Sequence, residues 1–376
     1  MFQQYTLDRL RAAMKREGYD VCVIREIENI MWLTGFERVF DDECAHRAVV
    51  TQDSCVIFTD SRYEDALVHA AEATSICVDA MRAALPVRVM RYICKSVPDA
   101  QSIAIEDSMP LYEYRAFERE LSTCDKALEL VETSDFVLAL RAQKTPSEIA
   151  CLRAAQRITD EAFAHMVEWV WHAHRIEGKS LTEHDVQVEL EQFMRLRGAD
   201  GVAFESIVAS GAHGAAPHSI PGGKIIEEGD MVVMDFGAKL NGYHSDMTRC
   251  MCFGEPSEKQ ARAYAAIRRA NEEVEAMLKP GITGAEAHNH AEAVLEQEGF
   301  GGCMGHSLGH GVGLQIHESP NLSPRNTKAL EVGNVVTVEP GIYISDEFGC
   351  RLEDFGVVTE DGFVVFTQSP HELVII

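Results

Sequence analysis

The sequence predicts a mixed α/β (α+β) protein of two domains, residues 1–140 and 141–376, and three observations predict it. The chain has 376 residues, beyond the length at which a single hydrophobic core usually stops growing. Helical and strand-like stretches alternate along both halves. A phrase in the second half, GDMVVMDFG at 229–237, returns as GNVVTVEPG at 333–341, which marks an internal duplication.

The elements follow in order. Leu7, Leu10 and Met14 recur at helical spacing and Gly18 stops the run, so an opening helix leads into the strand VCVI. HRAVVTQDSCVIFTD reads as two strands around a polar turn, and IAIED near residue 105 as another strand between helical stretches. Thr145-Pro146-Ser147-Glu148 is a helix start with proline at the first helical position, and the domain boundary is placed just before it. Two long helices follow, the second over about 181–197, before a strand-rich section opens at Glu205.

Composition narrows the function. Hydrophobic residues are 46% and charged residues 25% of the chain, as in globular proteins. Lys plus Arg is 34 against 60 Asp plus Glu, a net charge of −26, which repels nucleic-acid phosphates and anionic lipids. The first twenty residues lack the apolar core of a signal peptide, and no apolar run approaches a membrane span. Eleven cysteines without a CxxC pair are poor material for a disulfide framework or thiolate zinc site and suit a reducing cytoplasm. Cys250 and Cys252 are expected to pack on one face of a strand.

The duplication carries the chemistry. Asp235 and Glu339 fall at the same place in its two copies, and each copy is followed by a second strand with another carboxylate, Asp246 in GYHSDMTR and Glu353 in CRLEDFGVV. Two such units facing each other would bring four carboxylates together, an arrangement that requires cations because like charges in a buried site repel. Oxygen-rich ligation with one imidazole suits Mn²⁺, Fe²⁺, Co²⁺ or Zn²⁺ in a two-metal site. The imidazole comes from GHSLGHGVGLQIHE, where His306, His310 and His317 are all candidates, and His218 sits in a glycine-rich loop after the strand ESIVAS. His172, His174, His288 and His290 lie in helical text without a partner motif and are read as structural or surface residues.

Together these residues resemble the metallopeptidase family with the creatinase, or pita-bread, fold, which includes methionine aminopeptidase, aminopeptidase P, prolidase and creatinase. ENIMWLTGF at 28–36 and FTDSRYEDA at 58–66 resemble the creatinase-type N-terminal domain, which points toward the proline-directed members. The resemblance implies that Asp235, Asp246, His310, Glu339 and Glu353 ligate two divalent metal ions per chain, Mn²⁺ foremost and Co²⁺, Zn²⁺ or Fe²⁺ otherwise. It further implies catalytic roles for His218, His317 and Glu339, and substrate contacts for His306 and Arg351. The implied activity is hydrolysis of the Xaa-Pro bond at the N-terminus of short peptides by a cytoplasmic homodimer, as aminopeptidase or dipeptidase. A small-molecule hydrolase or lyase on this scaffold and an inactive binding protein are the alternatives. Gln315 stands where many relatives carry an acidic residue, a departure that bears on substrate preference.

Overall fold

The structure, a computed structural model, describes residues 2–41, 43–124 and 127–376. It divides into two compact units, Met1–Arg141 and Ala142–Ile376.

In the first unit a six-stranded sheet runs in the order Ile76–Asp79, Cys55–Phe58, Arg47–Thr51, Val21–Ile24, Ser102–Glu106, Glu129–Thr133. VCVI is buried along its whole length and central. It pairs antiparallel with Arg47–Thr51 and parallel with Ser102–Glu106, which explains why it reads as a continuous apolar run. The opening helix Phe2–Glu17 buries Leu7, Leu10 and Met14 and ends at Gly18, whose φ of 81° suits glycine. Val23, Val49, Phe58, Ile93, Ile103 and Phe117 form its core.

One expectation fails in this unit. Cys94, on helix Leu85–Ser96, and Cys124, just beyond helix Leu111–Leu121, form a disulfide across 30 residues of sequence. The two helices pack side by side against the same core. Tertiary adjacency of that kind leaves no trace in cysteine number or spacing.

The second unit is built twice over. Helices Pro146–Trp171 and Glu183–Leu196 lead to strands Ile207–Ser210, Met231–Phe236 and Met247–Cys252. Helices Glu258–Met277 and Gly284–Gln297 lead to strands Gly309–Gly311, Glu318–Leu322, Val335–Val338 and Asp354–Thr359. All four helices open with a capping box, Thr145 with Glu148, Thr182 with Asp185, Ser257 with Gln260 and Thr283 with Glu286, which satisfies the first backbone N–H groups of each. Each half has its own core, one around Phe163, Leu190, Met234 and Phe236, the other around Ile267, Leu295, Val336 and Val338.

Strand alternation decides which way the chemistry points. Val232, Met234 and Phe236 face the first core, whereas Met231 and Val233 join the second, so Asp235, in phase with the latter pair, is turned toward the second half. Cys250 packs in the second core and Cys252 is fully buried, in keeping with two packing residues on one face. The unit is the pseudo-two-fold pita-bread fold.

Candidate metal centre

The two hairpins of the duplication meet. Met231–Phe236 pairs antiparallel with Met247–Cys252, placing Thr248 opposite Asp235, with Asp246 one residue before the second strand. Val335–Val338 pairs likewise with Asp354–Thr359, with Val338 opposite Asp354, so Glu339 and Glu353 both sit just off the end of the ladder. The strand Gly309–Gly311 lies beside Val335–Val338 and delivers His310. A Cβ at Gly309 would lie 2.2 Å from the Thr337 carbonyl oxygen, so only glycine lets these backbones come so close.

All five candidate ligands converge. Single ligand atoms of Asp246, His310 and Glu353 lie within 4.8 Å of one another. His310 Nε2 is 3.5 Å from Asp246 Oδ2 and 3.3 Å from Glu339 Oε1. Asp235 holds Arg351 Nη2 at 2.5 Å through Oδ2, while its buried Oδ1 has no hydrogen-bond partner among the described residues.

The electrostatics fit a cation. Burial, reinforced by Asp235 and Glu339, pushes the Asp246 carboxyl well above the usual range, and burial with Asp246 and Glu339 does the same to Glu353. Burial also raises Glu339 to about 8, with Asp235 adding and Arg351 opposing. His310 is pushed down to about 4 by burial and by neighbouring His317. Its Nδ1 faces the Gly311 carbonyl at 3.1 Å, and a carbonyl only accepts, so Nδ1 carries the proton and Nε2 presents a bare lone pair to two carboxylates. Lone pair and carboxylates repel unless a proton or a metal cation lies among them. With the orphaned Asp235 oxygen, they form a donor set suited to borderline divalent metals.

Neighbouring side chains hold these donors in place. Thr337 Oγ1 accepts from the His310 N–H at 2.9 Å and donates to Glu339 at 3.2 Å. Thr248 Oγ1 donates to Glu353 at 2.7 Å and accepts from Arg351 Nε at 2.9 Å. Arg351, buried, also donates to the Tyr343 hydroxyl at 2.6 Å. That hydroxyl lies 3.0 Å from His306 Nε2, and His306 Nδ1 faces the Ser307 carbonyl at 2.8 Å. Tyr343 therefore donates to His306, whose pKa burial lowers to about 4.

The remaining histidines divide cleanly. The His317 ring stands 4.4 Å from the His310 ring, and His317 and His218 are exposed, each within electrostatic reach of the other. His172, His174 and His290 pair with Glu177, Glu228 and Glu273, while His288 is buried in its helix. Sequence reasoning missed Thr248, Thr337 and Tyr343. Of these only Thr337 carried a signal, as a hydroxyl in an otherwise apolar strand.

A second cluster, Glu275, Asp354 and His371, also gathers within 4.8 Å. Asp354 there already takes Arg249 at 2.7 Å and His371 at 2.9 Å, and it raises the pKa of His371. Arg249 and His371 thus balance the Asp354 charge.

A two-unit fold with a carboxylate-rich, single-imidazole centre between duplicated hairpins defines a metallohydrolase class. The chain belongs to metallopeptidase family M24, whose match spans residues 150–360, and residues 6–143 match the creatinase/prolidase N-terminal domain. It is 35% identical to the peptidase YqhT of Bacillus subtilis over 98% of this chain and 99% of that one. The structure of an Xaa-Pro dipeptidase from Bacillus anthracis superposes with a TM-score of 0.90 at 34% identity, covering 100% of both chains. An X-Pro aminopeptidase from Thermotoga maritima does so with 0.85 at 31%, covering 98% of this chain and 99% of that one. Divalent metal ions are the cofactor, and no helix among the described residues is long and apolar enough to cross a membrane.

Proposed function

We propose that this chain is an exopeptidase that cleaves the Xaa-Pro bond at the N-terminus of short peptides. It would act through two divalent ions, Mn²⁺ foremost, held by Asp235, Asp246, His310, Glu339 and Glu353 in a catalytic domain spanning 141–376. The observation that carries the reading is the bare His310 Nε2 set among carboxylates at 3.3 and 3.5 Å. Full-length similarity to an Xaa-Pro dipeptidase and an X-Pro aminopeptidase supports the substrate class.

When bound, the ions supply an activated water and polarise the scissile carbonyl. Glu339 takes a proton from that water and returns it to the departing proline nitrogen, as general acid-base work requires. His317 or His218 donates to the developing oxyanion. His306 meets the substrate side, and Arg351 supports it through Tyr343 while orienting Asp235. A prolyl bond has no N–H and a restricted preceding residue, which is why a dedicated pocket serves it.

The working form is proposed to be a homodimer in a reducing cytoplasm. Nine free thiols against one bonded pair support that compartment, and the net charge of −26 argues against nucleic-acid or anionic-membrane partners. The test is residue release from Xaa-Pro and Xaa-Pro-Yaa peptides before and after chelation, with Mn²⁺, Co²⁺ or Zn²⁺ restored. Loss and recovery of release are expected, and the preferred peptide length separates dipeptidase from aminopeptidase. Full turnover by metal-stripped protein would end the reading.

A further inference from the structure

His310 and His317 stand at the two ends of one loop. It connects strands Gly309–Gly311 and Glu318–Leu322, and the register pairs Gly311 with Glu318. Glu318, the residue after His317, turns its carboxylate beneath the loop, where a Cβ added to Gly313 would meet Glu318 Oε1 at 2.0 Å. The Gly313 carbonyl in turn accepts the backbone N–H of His244 at 2.9 Å, two residues before Asp246. The loop is therefore packed onto a carboxylate on one side and tied to the hairpin of Asp246 on the other.

That carboxylate has a dedicated counter-charge. Lys144 Nζ lies 2.5 Å from Glu318 Oε1, and both side chains are 1% exposed. The lysine backbone is fixed as well, its N–H donating to the Gly333 carbonyl at 2.8 Å. Glu148, also buried, accepts from the Tyr243 hydroxyl at 3.2 Å, and that hydroxyl lies in the field of both Glu148 and Glu318. Lys144 thus neutralises a carboxylate in a pocket holding a second acidic group. A buried ion pair adds little net stability over an apolar pair of similar volume, and in some proteins such a pair instead fixes a unique arrangement.

We infer that Lys144 is a positioning residue: its buried ion pair with Glu318 sets the end of the loop that carries His317, and so the placement of that imidazole over the centre. This rests on the proposed peptidase activity for its kinetic readout only. Misplacement of a positioned group by about 1 Å costs on the order of 100-fold in rate, so the signature is a fall in kcat without loss of metal.

The test uses Glu318→Gln, which keeps the shape, and the double variant Lys144→Met/Glu318→Leu, which removes both charges together. Each is loaded with Zn²⁺ and followed by metal content, kcat and KM on an Xaa-Pro dipeptide, and the NMR signal of the His317 imidazole. Full metal content, kcat lowered about 10- to 100-fold, KM nearly unchanged and a broadened or split His317 signal are expected. Lys144→Arg, which keeps the charge, should recover most of the turnover. Wild-type kcat or an undisturbed His317 signal in a folded, metal-loaded variant overturns the inference, and Glu318→Gln alone decides if the double variant does not fold. A His317 signal that changes in the variants, while the wild type cleaves no Xaa-Pro peptide, keeps the positioning role and removes the activity.

Discussion

Asp246, Glu339 and Glu353 each have a raised pKa in a buried setting, so each binds a proton more tightly than a free carboxyl does, and a cation competes with that proton. Metal uptake is then proton release. Calorimetry at pH 7 in buffers of different ionisation enthalpy should report roughly one to three protons released per centre, with affinity falling as pH falls. Uptake without proton release would show that the carboxyls are already ionised. Asp246→Ala should abolish metal uptake, whereas His317→Ala should retain it and lose turnover, as elemental analysis beside kinetics would show. The acidic residues were legible because the duplication repeats them in register. Thr248, Tyr343 and Lys144 were not, since each acts through a partner brought near only by folding; Lys144 and Glu318 are 174 residues apart in sequence.

Among the elements, the strand Val335–Val338 shows how one hydroxyl supports two donors. Thr337→Val preserves its shape and β propensity but removes the link between the His310 N–H and Glu339. Loss of such an outer partner typically weakens metal binding about 10- to 100-fold, measurable by competition with a chelator. An unchanged affinity would make Thr337 a packing residue. The helices make a simpler case: Thr283→Ala removes the cap of Gly284–Gln297 and should cost about 1 kcal/mol, read as a lower denaturant midpoint. Helix starts and buried strands were readable because caps and apolar periods are local. The Cys94–Cys124 bond was not, because pairing depends on which helices become neighbours.

For the whole molecule, the raised carboxyls give stability a definite pH dependence. A carboxyl whose folded pKa lies above its unfolded value keeps its proton better when folded, so stability is highest below the unfolded value and falls as pH rises toward the folded one. For Glu339 that window runs from the ordinary carboxyl range up to about 8. Chelated protein should therefore melt at progressively lower temperature between pH 5 and pH 8, and restoring the ions should remove most of that slope. A residual slope is expected from Glu275, raised to about 8 by burial and by Asp354, away from the metal centre. Glu275→Gln should flatten it, gaining about 1–3 kcal/mol at pH 8 relative to pH 5. Identical melting curves for this variant and the wild type would mean that Glu275 ionises freely.

The twofold construction also has a historical consequence. Each half contributes one hairpin with two acidic side chains, and neither hairpin alone encloses an ion. A half-length ancestor would have gained a metal only by meeting its own copy across a symmetry axis, and fusion of the two genes would have made that encounter permanent. Once joined, the copies were free to diverge, and the lone imidazole of the centre and the guanidinium that holds Asp235, both on the later copy, record that loss of symmetry.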